Sequence, residues 1–305
     1  MYAVGRTDVG LVRDTNQDRY LIWRLDADCG GIARRFSFCA IADGMGGNAA
    51  GDRASALALD VLGSRLLPEL AGCGGADSLC DIPDILRDAV AAANSAVLQA
   101  AAREPALNGM GTTLTVGLLT RGVLHLAQVG DSRCYRLRSG ALEQQTADHS
   151  VVAEMVRDGR ISEEGARKHP GRNVITRAIG AKKDLEVDIT CQAVEAGDIY
   201  LFCSDGLWEL APAARIERIV IDAIHDNGVS ADGLAAVCER LVQTALELGG
   251  EDNVTVLVAA VEPDDVHADA LREVQALART RVEAASSQTV ELKRTLRYRL
   301  QAARE

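Results

Sequence analysis

Residues 36–47 have the sequence FSFCAIADGMGG, and this stretch decides the fold. Its first seven residues are mostly apolar and β-prone, which is typical of a buried strand. The strand ends at Asp43-Gly44, which places a carboxylate at the start of a turn. Residues 49–66 follow with small and apolar side chains at helical spacing. The stretch therefore predicts a buried strand, an acidic turn and a helix in succession.

Residues 44–49 also match the dinucleotide-binding pattern G-x-G-x-x-A between a strand and a helix. We reject a nucleotide site, because Asp43 directly before the first glycine would repel a pyrophosphate unless a cation lay between them. The strands that follow also lack the further βα units of that fold. A tight turn with positive φ is the structural explanation of these glycines.

Outward from this stretch, strands and helices do not alternate regularly. The predicted strands are 20–25, 36–42, 112–120, 123–129, 133–137, 185–190, 199–203 and 254–261, and the predicted helices are 49–66, 82–102, 150–157, 162–168, 212–224 and 231–248. The short turns between 112 and 137 predict an antiparallel meander. This order disfavours a doubly wound parallel sheet and favours antiparallel sheets covered by helices.

Composition and charge exclude several classes of protein. The chain has 305 residues, 48% of them hydrophobic, and a net charge of −11. An acidic balance disfavours nucleic acid as the main partner, since phosphate backbones bind basic surfaces. The longest apolar run, 254–261, is too short to span a membrane, and residues 1–10 show no secretory signal. The eight cysteines form no C-x-x-C pair, so we expect reduced thiols in a cytoplasmic protein.

Carboxylates stand at the ends of several predicted strands. Asp43, Asp131 and Asp205 each follow an apolar strand, and Asp252 precedes the last one. Such residues can converge on one rim of a pair of sheets, where they repel one another unless a cation neutralises them. Hard divalent cations prefer oxygen ligands of this kind. For any one aspartate the alternative is the capping of a turn.

Ten short segments occur in an order that is highly specific. They are TDVG (7–10), RDTNQD (13–18), ADGMGG (42–47), GTT (111–113), VGDSR (129–133), DHS (148–150), HP (169–170), NVITRAIG (173–180), SDGLW (204–208) and EDNVT (251–255). Together they resemble the metal-dependent protein serine/threonine phosphatases of type 2C, in their bacterial form. The resemblance extends from residue 7 to about residue 261.

The resemblance implies an α+β fold, a central antiparallel β-sandwich flanked by helices in α-β-β-α layers. It implies an enzyme that hydrolyses phosphoserine and phosphothreonine in proteins and opposes a bacterial Ser/Thr kinase. The nucleophile is then a hydroxide that bridges two Mn²⁺ or Mg²⁺ ions, with a third ion possible. The catalytic domain is expected to span 1–263, with a flap at about 151–172 beside the active site.

Site residues follow from the resemblance motif by motif. Asp43 bridges the two ions, and the carbonyl of Gly44 contacts one of them. Asp205 and Asp252 bind the other ion, and Asp18 is a supporting carboxylate nearby.

Two further residues complete the expected site. Asp131 matches the aspartate of the third, weaker metal site. Arg13 holds the substrate phosphate, for which a guanidinium fork is well shaped. The alternative for Arg13 is a surface ion pair with Asp14 or Asp18, which contributes little.

Two departures from the family pattern affect the chemistry. Gln17 stands where the family commonly has Glu, which predicts a weaker second metal site. It is also the one argument for an alternative function, a catalytically weak or silent phosphoprotein-binding module. Met45 replaces the histidine that some eukaryotic members use as a proposed general acid. His149 and His169 are candidate proton donors by chemistry alone, and a loop-fixing role is favoured for His149.

The C-terminal segment 264–305 is predicted to be an amphipathic helical extension. Its apolar positions are Leu271, Val274, Ala278, Val282, Ala285, Leu292, Leu296 and Leu300. One interpretation is a helix packed on its own domain. The other is a surface for homodimerisation or for docking a partner.

Overall fold

A computed structural model of the chain describes residues 1–28, 33–47, 50–71 and 82–277. Its strands are β1 (Tyr2–Asp8), β2 (Asp18–Asp28), β3 (Ala33–Met45), β4 (Gly111–Thr112), β5 (Leu114–Thr120), β6 (Val123–Val129), β7 (Arg133–Arg138), β8 (Ala141–Gln144), β9 (Asp188–Ala193), β10 (Ile199–Cys203) and β11 (Val254–Ala260). Its helices are α1 (Ala50–Ala71), α2 (Ile82–Arg103), α3 (Val151–Arg157), α4 (Glu163–Lys168), α5 (Asp205–Trp208), α6 (Ala213–Asn227) and α7 (Ala231–Glu247).

The strands form two antiparallel sheets. One sheet has the order β1-β11-β10-β7-β8, and the other has the order β2-β3-β5-β6-β9, with β4 paired to β3. Strands β5, β6, β10 and β11 are buried along their whole length. That explains why they are nearly continuous apolar runs, because both of their faces are covered.

Three apolar clusters separate four layers. The cluster between the sheets includes Ile41, Tyr200 and Phe202, all at most 1% exposed. A second cluster lies between the β2-to-β9 sheet and helices α1 and α2. A third lies between the other sheet and helices α6 and α7. The predicted α-β-β-α sandwich is therefore what the chain forms, since each helix buries its apolar stripe on one sheet.

The predicted meander is wrong at its third strand. β5 and β6 pair as predicted, but β7 leaves that sheet and pairs with β10 and β8. The crossing occurs at Gly130, which has φ of +101°. A β-carbon there would lie 2.6 Å from Cγ2 of Thr113. Only glycine adopts that conformation in that space, so the short connection turns into the second sheet.

Other strand predictions were shifted or missing. β9 begins at Asp188, so the predicted strand 185–190 starts too early. β1 and β8 were not predicted, because both are edge strands whose polar and exposed residues give little apolar signal. The predicted helices are present with small shifts of their ends, and α3, α4 and α7 begin after serine caps. No helix in the described ranges is both long and apolar enough for a membrane span.

The start of the C-terminal segment packs on the sandwich. Residues 270–277 are helical, and Ala270 and Leu277 are at most 5% exposed in the cluster beneath α1 and α2. Val274 packs there too, so the buried positions are i, i+4 and i+7 of one face. Leu271 was predicted on this face but is 61% exposed, because it lies about 100° around the helix from Ala270. The remaining predicted apolar positions lie outside the described residues.

Candidate metal centre

Five carboxylates meet at one end of the sandwich, and we call them the acidic rim: Asp18, Asp43, Asp131, Asp205 and Asp252. Asp18 begins β2 and lies directly opposite Asp43 on β3. The other three stand where β6 ends, where β10 ends and where β11 begins. All except the buried Asp18 line one cavity of about 600 Å³. The predicted convergence of carboxylates from several strand ends on one rim of the two sheets is therefore observed.

Asp18 is fixed from behind by a network of hydroxyl groups. Its side chain is 1% exposed and accepts a hydrogen bond of 2.7 Å from Ser204 Oγ. The same Oγ accepts from the backbone N–H of Thr255 at 3.0 Å. Burial raises the pKa of Asp18 to about 6, although the hydrogen bonds from Thr255 and Ser204 oppose that rise. Asp18 thus connects β2 to β11 and to the residue that follows β10, and it does not line the cavity.

Asp43 is held by its backbone, which leaves its carboxylate available. Its N–H donates to Thr113 Oγ1 at 3.0 Å, and its carbonyl accepts from the N–H of Thr113 at 2.9 Å. Thr112 Oγ1 donates to the same carbonyl at 2.8 Å. These three hydrogen bonds fix the backbone of Asp43, and its half-buried side chain is left to line the cavity.

Gly44 lies where the chain passes closest to helix α1. A β-carbon at Gly44 would collide with the carbonyl oxygens of Gly51 and Gln17, and one at Gly51 would collide with the Gln17 amide. The Gly44 N–H donates to the Gln17 carbonyl at 3.2 Å. Glycine at both positions allows the acidic turn, Gln17 and the helix to come together, and leaves the Gly44 backbone on the cavity wall.

Arg13 lies on a loop that Asn253 anchors. Asn253 Nδ2 donates to the carbonyls of Val9 and Thr15, at 2.8 and 3.0 Å. Arg13 Nη2 donates to Asp252 Oδ2 at 2.6 Å, and its side chain is 56% exposed. Arg13 forms its ion pair with Asp252. The alternative prediction of an ion pair with Asp14 or Asp18 was therefore wrong about the partner. The hydrogen bond to Asp252 raises the pKa of Arg13.

Asp131 belongs to a stacked arrangement that ties β7 to α5. Its carbonyl accepts from Trp208 Nε1 at 3.0 Å. The Arg133 guanidinium lies 3.6 Å above the Trp208 ring and binds both oxygens of Asp148. Burial, followed by the charge of Asp148, raises the pKa of Asp131 to about 7. Because α5 also carries Asp205, this stack sets the separation of the two acids.

The carboxylates of Asp43 and Asp205 are the least compensated of the rim. Burial is the first cause that raises the pKa of each well above its ordinary value, and the charges of the neighbouring acids add to it. Neither residue forms an ion pair with any side chain in the described part of the chain. Such a pair is unfavourable alone, and a divalent cation would remove the conflict.

Comparison with known proteins identifies the family. A match to the protein phosphatase 2C family covers residues 11–254. The chain belongs to this family. The serine/threonine phosphatase Stp of Listeria monocytogenes serovar 1/2a is 36% identical over 261 residues, 85% of this chain and 95% of Stp. The predicted family and its enzyme class, protein-serine/threonine phosphatase, are therefore confirmed.

Solved structures of the protein phosphatase 2C family share the fold. The crystal structure of Mycobacterium tuberculosis PstP/Ppp matches with a TM-score of 0.70 and 38% identity, over 86% of this chain and 98% of that one. The PstP catalytic domain in complex with two manganese ions matches with a TM-score of 0.68 and 37% identity, over the same shares. The predicted α+β fold is confirmed, and the predicted manganese or magnesium cofactor agrees with the second of these structures.

The acidic rim fits the cations of a 2C phosphatase by its chemistry. Its donors are all oxygens, which Mg²⁺ and Mn²⁺ prefer. Across the described ranges, no group of three or more His, Cys, Asp or Glu side chains is arranged to hold an ion by itself.

The two candidate histidines fix loops. His149 is 3% exposed; its Nδ1 accepts from the N–H of Gly130 at 3.2 Å, and its Nε2 lies 3.1 Å from Asp188. His169 Nδ1 accepts from the N–H of Gly171 at 3.0 Å. Neither histidine lines the cavity, so the loop-fixing role favoured for His149 agrees with the structure.

Sequence reasoning missed most of the residues that hold the rim in place. Ser204, Thr113, Asn253 and Trp208 each make a hydrogen bond to an acid of the rim or to its loop. All four lie inside the motifs that carry the family resemblance. Their position directly beside or close to an aspartate was the signal that could have found them.

Proposed function

We propose that this protein phosphatase acts on phosphoserine and phosphothreonine in protein substrates, with two Mn²⁺ or Mg²⁺ ions at the acidic rim. The observation that carries the proposal is the pair Asp43 and Asp205, two half-buried acids with raised pKa values that form no ion pair among the described residues. Acids that serve stability alone are ordinarily paired with a base.

Each acid has a distinct role in this proposal. Asp43 would hold both cations, and the Gly44 carbonyl would hold one of them. Asp205 and Asp252 hold the other cation. Asp18 supports Asp43 from behind, because it lies opposite it across β2 and β3 and is locked by Ser204.

Asp131 serves a third and weaker cation. Its carboxylate lies on the cavity wall, while its carbonyl is bound to Trp208. The nearest charge that offsets it is that of Arg133, which is committed to Asp148. Asp131 therefore retains enough negative charge to bind a cation, but fewer neighbouring acids add to it.

Arg13 binds the phosphate of the substrate. One of its N–H groups holds Asp252, and the guanidinium is more than half exposed at the cavity. The salt bridge orients the fork so that its free edge can donate to phosphate oxygens. When bound, the cations supply a water of lowered pKa and positive charge for the phosphate. Arg13 adds donors that stabilise the oxygens as charge develops.

The cellular setting completes the proposal. The enzyme acts in the cytoplasm and opposes a bacterial Ser/Thr kinase whose products are its substrates. The C-terminal segment 264–305 serves as a dimerisation or docking element beside the catalytic domain 1–263. The flap at 151–172, formed by α3 and α4, selects among substrates.

Hydrolysis of p-nitrophenyl phosphate and of a phosphothreonine peptide tests the function. The wild-type protein is assayed with Mn²⁺ and with EDTA, beside Asp43→Asn with Mn²⁺. We expect turnover only in the first case. Equal rates in all three would contradict the proposal, and binding of the phosphopeptide without turnover would favour the silent module instead.

A further inference from the structure

Large apolar side chains are exposed on or directly beside two segments that line the cavity of the acidic rim. Leu11, Val12 and Val174 are 68%, 67% and 51% exposed, and they are three of the six most exposed large apolar residues in the described part of the chain. Val12 lines the cavity, as do Asn173 and Ile175 on either side of Val174. Scattered exposed apolar residues need no explanation, but a group around a binding cavity does.

The exposure on the Arg13 loop is imposed by a fixed backbone. The Leu11 N–H donates to the Gly250 carbonyl at 2.7 Å, and Asn253 holds both ends of the loop. The Gly10 N–H donates to Asp8 Oδ1 at 2.9 Å. The loop therefore cannot turn its two aliphatic side chains inward, and a ligand meets them already in place.

The second segment, around Val174, has an equally fixed backbone. The Val174 carbonyl accepts a hydrogen bond from the N–H of Val151 at 2.9 Å. The N–H of Val174 donates to the Gly171 carbonyl at 3.2 Å. Ile175 forms a bridge with Ser150, the cap of α3. Val174 is thus attached to the base of the flap, with its side chain outward.

The cavity is larger than a phosphorylated side chain needs. Its volume of about 600 Å³ lies in the range of sites that enclose a drug-sized ligand. Its walls combine the acids with three apolar residues, Val12, Met45 and Ile175. The phosphate belongs with Arg13 and the cations, so the apolar wall and mouth remain for the neighbouring residues of the substrate.

We propose that Leu11, Val12 and Val174 form an aliphatic collar that binds an aliphatic residue adjacent to the phosphorylated serine or threonine. This inference rests on the proposed phosphatase function. A charged or small polar neighbour gains nothing from the collar, and an acidic one is repelled by Asp14 on the same wall. Contact with an open collar selects less strongly than a closed pocket does, so about a fivefold to tenfold preference is expected.

The test measures kcat/KM for two phosphothreonine peptides that differ only in the residues flanking the phosphothreonine, valine in one and serine in the other. The wild type is expected to favour the valine peptide by about tenfold. Val12→Thr keeps the shape of the side chain but adds a hydroxyl, and should reduce that ratio to about two. Leu11→Ser is a second variant with the same expectation.

Val229→Thr is the matched control. Val229 is 52% exposed, lies between α6 and α7 and does not line the cavity, so the preference should persist in this variant. If the wild type hydrolyses both peptides equally, the collar is refuted while the phosphatase function stands. If it hydrolyses neither peptide and no p-nitrophenyl phosphate with Mn²⁺, both proposals fail. Loss of the preference in Val229→Thr as well would also overturn the collar.

Discussion

Two groups of aspartates in this chain differ in their partners. Asp148, Asp188 and Asp198 are bound by arginines, namely Arg133, Arg177 and Arg138. The acidic rim has instead one exposed arginine, Arg13, and its members otherwise face one another. We call the first group the paired acids.

The pKa of the paired Asp188 shifts in the opposite direction from the pKa values of Asp43 and Asp205. Partial burial acts to raise the pKa of Asp188, but hydrogen bonds and charge from His149 and Arg177 outweigh it, so the pKa is lowered. Burial and neighbouring carboxylates raise the pKa of Asp43 and Asp205 well above its ordinary value, and neither acid forms an ion pair among the described residues. The paired acids are neutralised by arginines, whereas Asp43 and Asp205 form no ion pair, and half-buried carboxylates with raised pKa values of this kind are candidate functional residues.

The largest effect is expected for Asp43→Asn. The substitution keeps the size of the side chain but removes the charge between the proposed cations, so phosphatase activity with Mn²⁺ should fall at least about 10³-fold. Thermal unfolding in EDTA should show no loss of stability, because a repelled charge has been removed.

Asp188→Asn is the control for that prediction. It should leave the metal dependence of the reaction in place and lower stability slightly, since an ion pair with Arg177 is lost. Equal stability losses in EDTA for the two variants would contradict the distinction between the groups.

The next effect is expected for Asp148→Asn, which breaks a paired acid that is 8% exposed. The Arg133 guanidinium would be left largely buried without its carboxylate, which costs about 3 kcal/mol of unfolding free energy. Urea denaturation with EDTA measures this loss. The same substitution at a rim acid, Asp205→Asn, should leave the unfolding free energy unchanged or raise it. A loss of stability similar to that of Asp148→Asn would contradict the distinction between the two groups.

A smaller effect is expected from pH. The folded-state pKa is raised to about 6 for Asp18 and about 7 for Asp131, above their values in the unfolded chain. The folded state therefore binds more protons, and the stability of the metal-free protein should fall as pH rises from about 4 to about 7. Below that window the lowered pKa of Asp188 acts in the opposite sense.

Saturating Mn²⁺ should flatten this pH dependence, because a cation takes the place of the protons. Unfolding at a series of pH values, with EDTA and with Mn²⁺, provides the measurement. Asp131→Asn in EDTA should flatten the upper part of the window. Stability that rises with pH between 5 and 7 in EDTA is the outcome that does not fit.

The smallest effect is expected for Gln17→Glu. Gln17 lines the cavity and lies against Gly51, so a carboxylate of the same shape fits there and adds charge to the rim. We expect the weaker Mn²⁺ site to tighten by about threefold to tenfold, since one added charge near a partly solvated ion contributes about 1 kcal/mol. Calorimetric titration of Mn²⁺ measures it, with Gln243→Glu, an exposed position on α7 away from the cavity, as a control. An unchanged or weaker affinity would show that Gln17 does not limit that site.

Asp43, Asp131 and Asp205 were predicted because each stands next to glycine or serine at the end of an apolar strand. Asp252 was predicted from its place before the last strand, and Asp18 from the family resemblance. The partners that hold them were not predictable by spacing, since Ser204 reaches Asp18 from 186 residues away and Asn253 reaches Val9 from 244. Long-range pairs of this kind depend on the register of β2 with β3 and of β1 with β11.

The fold was predicted well where burial covers both faces of a strand and poorly at sheet edges. β10 was placed at 199–203 as observed, because its five residues are all buried. β8 has three exposed residues of four and was missed. The assignment of β7 to the wrong sheet followed from reading a short connection as a hairpin, when the positive φ of Gly130 sends the chain to the other layer.

The pairing of β1 with β11 has a consequence for synthesis of the protein. The two strands lie side by side from Tyr2 opposite Ala260 to Asp8 opposite Val254. The first strand therefore cannot pair until the last strand has been synthesised. A ribosome needs roughly 10 to 50 s to cover that distance at ~5–20 residues per second. Asp252 and Asn253 emerge at the end of this interval, and Arg13 has no anchored loop before then. A nascent or truncated chain therefore carries most of the rim acids without an assembled phosphatase, and dephosphorylation begins only after the sandwich closes.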